Sequence, residues 1–460
     1  MVFSSLTFLY AYLPVVLLVY FLCPWKYRNF VLFAVSLFFY GWGEPVYVLV
    51  MVASILMNWL MGKVIARREG KAAKNALILC IVFNLCLLGF FKYAGFIIQN
   101  LRALGLRSLR PVQISLPIGI SFYTFQTMSY PIDLYRRQTE EQRSLISFGA
   151  YVVMFPQLIA GPIVRYREVA QELDDRTITV GDAHDGLIRF CQGLAKKVLI
   201  ANSCGAVFEE ISRLADPDMT ILTAWLGILF YALQIYYDFS GYSDMAIGIG
   251  RILGFHFPEN FDHPYTARSI TDFWRRWHMT LSYWFRDYVY IPLGGNRKGL
   301  PRQLVNIIIV WFLTGLWHGA AWNFILWGMF YGFLLILEKL FLLKYLQKAP
   351  RFLQHFYTMA AVLIAWVFFA FTDIGQGMHY LSRMFASPAL YSGLTLYYLR
   401  DNLAVLIIGI LASTTLLQKA DRFLQERLPW TTPLLCAGCL LLCTAFIVDA
   451  SYNPFLYFRF

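Results

Sequence analysis

Two histidines stand where an imidazole could do acid–base work. His318 lies in a stretch, residues 303–337, that contains no Asp, Glu, Lys or Arg. His278 follows a tryptophan in Phe273-Trp-Arg-Arg-Trp-His-Met-Thr-Leu-Ser282. Imidazole titrates nearest neutrality of all side chains, so it can take a hydroxyl proton and hand it to a leaving group. At about 1.5 Å per residue a continuous helix over 303–337 would be roughly 52 Å long. A bilayer's hydrocarbon core is only about 30 Å thick, so one straight span cannot use it all. Glycine is the poorest helix former short of proline, which places the expected break at Gly315-Leu-Trp-His-Gly319. An ionisable group at an intramembrane break is a functional-site hypothesis by default. The plain alternative is a histidine that only bridges helices by hydrogen bonds. Neighbouring Trp317, Asn323 and Trp277 are candidates to line the same space.

Carboxylates are the next source of chemistry. Tyr237-Asp-Phe-Ser-Gly-Tyr-Ser-Asp-Met245 sets Asp238, Ser240 and Asp244 in apolar surroundings. Six residues apart, the two carboxylates do not share a helix face, so a catalytic dyad is not expected. Each should pair with an arginine or line a polar cavity, because a buried charge needs a partner. Gly248-Ile-Gly-Arg-Ile-Leu-Gly254 misses the dinucleotide fingerprint by one residue and follows no strand. Gly250 and Gly254, four apart, suit close helix packing instead. A Gly-x-Ser-x-Gly elbow is absent, which excludes an α/β-hydrolase. Cys436-Ala-Gly-Cys439 matches a redox spacing, yet it sits in an apolar run where cysteine acts as a small packing residue. His278 and His318 alone fall short of a ligand set, so no metal is expected.

These residues must be held by membrane helices. The chain is 59% hydrophobic and 14% charged, with a mean hydropathy of +0.55. Uncharged runs recur at 1–25, 45–62, 75–91, 111–132, 144–164, 303–337 and 431–448. The expected class is an all-α polytopic membrane protein with about 11 transmembrane helices, allowing for short, re-entrant and amphipathic ones. The net charge of +12 could suggest nucleic acid. However, the basic residues fall in short loops, at Arg67-Arg68 with Lys71 and Lys74, at Arg136-Arg137 and at Lys196-Lys197, as cytoplasmic loops do. Nucleic acid is therefore excluded as a partner. The same rule puts the Lys26 loop inside and the N-terminus outside. The basic stretch 102–110 falls on the outer side and is expected to be an interfacial helix.

A single membrane domain, 1–460, is the simplest division: N-terminal helices (1–110), a core with both histidines (111–340) and C-terminal helices (341–460). Phe155-Pro-Gln-Leu-Ile-Ala-Gly-Pro162 has too many breakers for a plain span. Such backbone is tolerated in a membrane only where it lines protein or water, so a re-entrant segment carrying Gln157 is expected. The polar stretch 165–185 is expected to be a loop that caps a helix over 183–191. Phe273, Trp277, Leu281, Trp284 and Tyr288 recur at spacings of a single helical stripe, predicting one amphipathic helix between Ser269 and Gly295.

Those motifs, with Leu116-Pro-Ile-Gly-Ile-Ser-Phe-Tyr-Thr-Phe-Gln126, Tyr290-Ile-Pro-Leu-Gly-Gly295, Thr314-Gly-Leu-Trp-His-Gly319 and Asn453-Pro-Phe-Leu-Tyr-Phe-Arg-Phe460, resemble the membrane-bound O-acyltransferase family. The resemblance runs over nearly the whole chain and points to the bacterial alginate O-acetyltransferase branch. It implies a ring of tilted helices around a central tunnel, with His318 matching the family's near-invariant histidine and His278 its second active-site histidine. It also implies a cytoplasmic acyl thioester such as acetyl-CoA as donor substrate, with no bound cofactor. The implied setting is the bacterial inner membrane, among lipids. A periplasmic partner of the SGNH-hydrolase-like kind would pass the acetyl group to an exported polysaccharide, in company with the export machinery. The teichoic-acid D-alanyl branch shares several motifs and is the near alternative. A transporter or channel is the rival from another class, since broken helices with midplane polar groups also describe transporters. No matched pair of interrupted segments in two repeated halves supports it. A non-catalytic scaffold is the third reading.

Overall fold

A computed structural model describes residues 2–449 except Gln113 and Pro429. The terminal motif from Asn453 to Phe460 lies outside the described residues. The described residues are helical with turns and loops and contain no strand. Among the described residues seven helices are long and apolar enough to cross a membrane, or eight if the bent pair Gly393–Asp401 and Leu403–Ala412 forms one span. The expected count of about 11 is therefore not reached by long apolar helices; Phe8–Leu22 is a shorter apolar one. The chain is a multi-pass membrane protein.

The chain divides into two compact units: residues 1–190 with 242–258, and residues 191–241 with 259–460. The first is centred on rings. Phe3 stacks on Phe8 at 4.5 Å and on Tyr242 at 4.4 Å, with Phe39 and Phe155 alongside. Its breaker-rich segment forms a four-residue helix, Phe155–Leu158, followed by a turn, all buried. The polar stretch expected as a loop contains the helix Tyr166–Asp174. The following helix begins earlier than expected, at Val180, and is capped by Thr179, whose hydroxyl accepts from the Asp182 N–H. Of the expected interfacial helix over 102–110, only Arg102 and Ala103 are helical, as the end of Ala94–Ala103; residues 104–110 form turns and irregular backbone.

The helices Val180–Ala195 and Ile221–Ile252 each contribute residues to both units. Within the first unit a Cβ on Gly248 would lie 2.5 Å from the Gly186 carbonyl oxygen. Within the second, a Cβ on Gly241 would lie 2.7 Å from that of Gly193. Only glycine permits such backbone approach. The close packing expected of Gly250 and Gly254 thus belongs to Gly248 and Gly241; Gly250 faces the Phe257 ring, and Gly254 takes a turn at φ +87°.

In the second unit residues 303–337 fold as a hairpin. Pro301 sits in the first turn of Leu300–His318, where its missing N–H costs nothing. The helix does not break at Gly315: it continues to His318, and the turn is Gly319-Ala-Ala321 before Trp322–Leu337. Gly315 serves the return instead, since a Cβ there would stand 2.5 Å from the Phe324 carbonyl oxygen. Opposite it, one on Gly328 would stand 2.4 Å from that of Trp311.

Candidate active site

His278 owes its place to a break that periodicity hides. The expected single helix is two, Ile270–Arg276 and Met279–Phe285. The first is fixed at its start by Ser269, which accepts from the Asp272 N–H at 2.9 Å. The buried Glu338 carboxylate also accepts there from the N–H groups of Ile270 and Thr271, at 2.7 and 2.9 Å. A carboxylate satisfies the orphan donors of a helix N-terminus and complements its dipole. At the other end Asp262 donates its N–H to the Arg276 carbonyl, and Met279 donates to that of Asn260, each at 2.9 Å. Held between these pairings, His278 takes φ +45°, a left-handed conformation that costs a non-glycine residue on the order of 1–3 kcal/mol.

The imidazole of His278 is 1% exposed. Its Nδ1 lies 2.9 Å from Asn260 Oδ1, which also accepts from the Thr280 hydroxyl at 2.9 Å. With an amide oxygen as its neighbour, Nδ1 carries the proton and Nε2 the lone pair. Burial pushes the pKa of His278, which lies outside the long apolar helices, down to about 3. The Phe239 ring meets the imidazole edge-on at 4.7 Å.

His318 ends its helix at the hairpin turn, 3% exposed. Its ring is walled edge-to-face by Trp327 at 4.9 Å and Phe369 at 5.2 Å. Trp317 joins the two histidines: its ring lies 5.0 Å from that of His318 and 5.9 Å from that of His278. Two imidazoles thus rest on one indole, within walls that exclude water.

The other candidates separate. Asn323 is buried near the turn and donates Nδ2 to the Phe368 carbonyl at 3.1 Å, while its Oδ1 has no protein partner among the described residues. Trp277 packs in the aromatic core, stacked on Phe273 at 5.5 Å and against Trp366 at 5.0 Å. Asp238 and Ser240 flank Phe239, but successive helix residues point about 100° apart, so they aim away from His278. Asp238 forms an ion pair with Lys197 at 2.6 Å, the cation being lysine and not the expected arginine. Asp244 pairs with Arg189 at 2.7 Å. Gln157, in the first unit, donates to the Tyr151 carbonyl at 2.6 Å. Asn260 was missed as a site residue; it lies in the turn between His256 and His263, and its buried amide carries no motif. Among the described residues no cluster of three or more His, Cys, Asp or Glu could hold a metal. All eight cysteines are free; Cys439 donates to the Cys191 carbonyl at 3.4 Å.

Two histidines buried in an aromatic enclosure, in a membrane protein whose described residues are helical, stand where a proton could be moved away from bulk water. Comparison supplies the class. The sequence model of the MBOAT, membrane-bound O-acyltransferase family, matches residues 70–378, and the chain belongs to that family. It is an acyltransferase. The chain is 43% identical to the "Probable alginate O-acetylase AlgI" of Azotobacter vinelandii over 84% of its own length and 78% of the relative's. It is 38% identical to the protein of that name from Pseudomonas putida, over the whole of both chains. A Helicobacter pylori "Peptidoglycan O-acetyltransferase" is 32% identical over 100% of this chain and 98% of its own. A "Teichoic acid D-alanyltransferase" of Bacillus subtilis is a more distant relative.

Proposed function

We propose that the protein carries acetyl groups from a cytoplasmic acyl thioester toward an exported polysaccharide of the alginate kind. The observation that carries the reading is the pair of buried imidazoles on Trp317. His318 takes the proton of an acceptor hydroxyl as its oxygen attacks the thioester carbonyl; the C–S bond then breaks and the imidazolium returns the proton to the thiolate. The His278 tautomer narrows that histidine's part. A neutral ring with Nδ1–H committed to Asn260 offers Nε2 only as an acceptor. It therefore orients the incoming hydroxyl rather than polarising the carbonyl, the other role open to it. The same tautomer favours a second reading in which His278 is the base, since a base oriented by a third group is the recurring arrangement.

Acetyl-CoA is the proposed donor, and a periplasmic SGNH-hydrolase-like protein the proposed receiver, since the described residues hold no soluble domain to grip a polymer. The proposed setting is the bacterial inner membrane with the N-terminus outside.

Transfer of labelled acetyl from acetyl-CoA by the purified protein tests the reading. His318→Ala should lose about 10³-fold, within the range general base catalysis supplies. His278→Gln keeps an acceptor near Nε2 and should lose only about tenfold if His278 orients. A loss as deep as that of His318→Ala would make His278 the base. Parental rates in folded His318→Ala would overturn the proposal, and uptake into vesicles without transfer would favour a transporter.

A further inference from the structure

The first unit holds two arginines that share a ring and no carboxylate. Arg28 opens the helix Arg28–Gly43, and Arg176 lies just past the helix Tyr166–Asp174. Their guanidinium carbons each stand 5.0 Å from the centre of the Trp25 ring. Arg176 is 6% exposed and braced on three sides. Its Nε donates to the Tyr20 hydroxyl at 2.9 Å, and its Nη1 donates to Asn29 Oδ1 at 2.8 Å and to the Glu172 carbonyl at 3.0 Å. The Phe255 ring covers it at 4.5 Å. Arg28 sits 5.1 Å from the Tyr20 ring and approaches the same hydroxyl.

Two observations ask for an anion here. Among the described residues, neither guanidinium forms an ion pair with a carboxylate. Arg176 Nη2 and Arg28 Nε are buried without a hydrogen-bond partner. Buried donors on like charges are costly unless an acceptor of opposite charge answers them. Guanidinium donors match the oxygens of a phosphate group, which can accept from both.

The surroundings decide where that phosphate comes from. The helix Leu13–Leu22 leads into the niche and exposes Val15, Leu18 and Leu22. At its end the chain turns through Trp25, Lys26 and Tyr27, all exposed. Aromatic and basic residues at the end of an apolar surface mark a membrane–water boundary. We propose that Arg28, Arg176 and Trp25 bind the headgroup phosphodiester of an anionic phospholipid, with its acyl chains along Leu13–Leu22. Basic pockets beside membrane helices recognise such headgroups.

Native mass spectrometry of the full chain in non-ionic detergent tests this, with phosphatidylglycerol or phosphatidylcholine added in equal amounts. Phosphatidylglycerol should be retained roughly 30-fold over phosphatidylcholine, matching about 1 kcal/mol for each of the two arginines. Arg28→Gln should erase most of that preference. Lys26→Gln, outside the niche, should leave it within about twofold. Equal retention of both lipids by the parent protein would overturn the proposal, whatever the variants do. So would an unchanged preference in Arg28→Gln with an unchanged melting temperature. Displacement of bound phosphatidylglycerol by coenzyme A or inorganic pyrophosphate would show that a soluble phosphate occupies the niche, and would overturn the lipid assignment.

Discussion

The second unit buries two kinds of ionisable group, and it treats them oppositely. Asp238 is answered by Lys197 at 2.6 Å, with both side chains almost wholly buried. His278 and His318 are answered by neutral groups: an asparagine amide, an indole and other rings. A buried carboxylate stays charged only if a cation meets it, and once met it is committed to that cation. A neutral imidazole needs one hydrogen bond to fix its tautomer, and it retains a lone pair for chemistry. Asp238 therefore reads as a strut between helices, and the histidines as the groups left available for the proposed chemistry.

The sharpest way to break that contrast is to damage each side and ask whether activity or stability fails. On the histidine side the roughly 10³-fold loss expected for His318→Ala should come with little change in melting temperature. On the carboxylate side Lys197→Met should cost about 3–5 kcal/mol of stability by removing the cation that pairs with the buried Asp238. Lys197→Met with Asp238→Leu should recover most of it, and acetyl transfer per folded molecule should stay near parental. A double variant that folds but cannot transfer would move Asp238 into the reaction.

Asn260 offers a finer cut, because it touches the histidine but not the proposed reacting atoms. Asn260→Ala frees the His278 tautomer and should slow transfer about tenfold through kcat, with the donor KM little changed. Asn260→Asp, which still accepts from Nδ1, should recover much of the rate; a rise in KM alone would argue against a positioning role. The smallest effect expected is a pH slope. With its pKa lowered to about 3, His278 stays neutral in the folded protein while an unfolded imidazole protonates below about 6.5. Stability is then fully present above that pH and falls as acid is added toward pH 3. Melting temperatures at pH 7.5 and 5 should differ more for the parent than for His278→Gln.

Much of the site was legible because its signals are local. An imidazole within an uncharged membrane-length run needs no fold to be noticed, and the run's length by itself required a turn. The turn falls at the edge of the expected Gly315–Gly319 segment, but which of its two glycines would make it was not legible. Gly315 looked like a breaker, yet a glycine whose missing Cβ lets Phe324 approach is worth more inside the packed hairpin than its propensity costs. The stripe from Phe273 to Tyr288 likewise keeps helical spacing across a break, because two short helices in register preserve the apolar face while His278 turns left-handed between them.

From the sequence alone came the class of molecule, the helical membrane architecture and the two histidines, because hydrophobic run length and the cost of burying an ionisable group act along the chain. Tertiary structure alone decided what each buried group faces. Lys197 reaches Asp238, Asn260 reaches His278 and Trp25 joins Arg28 to Arg176 across gaps in sequence that no periodicity encodes. Whether a buried polar group is a strut, a base or a ligand anchor depends on that partner, and the partner is chosen by packing.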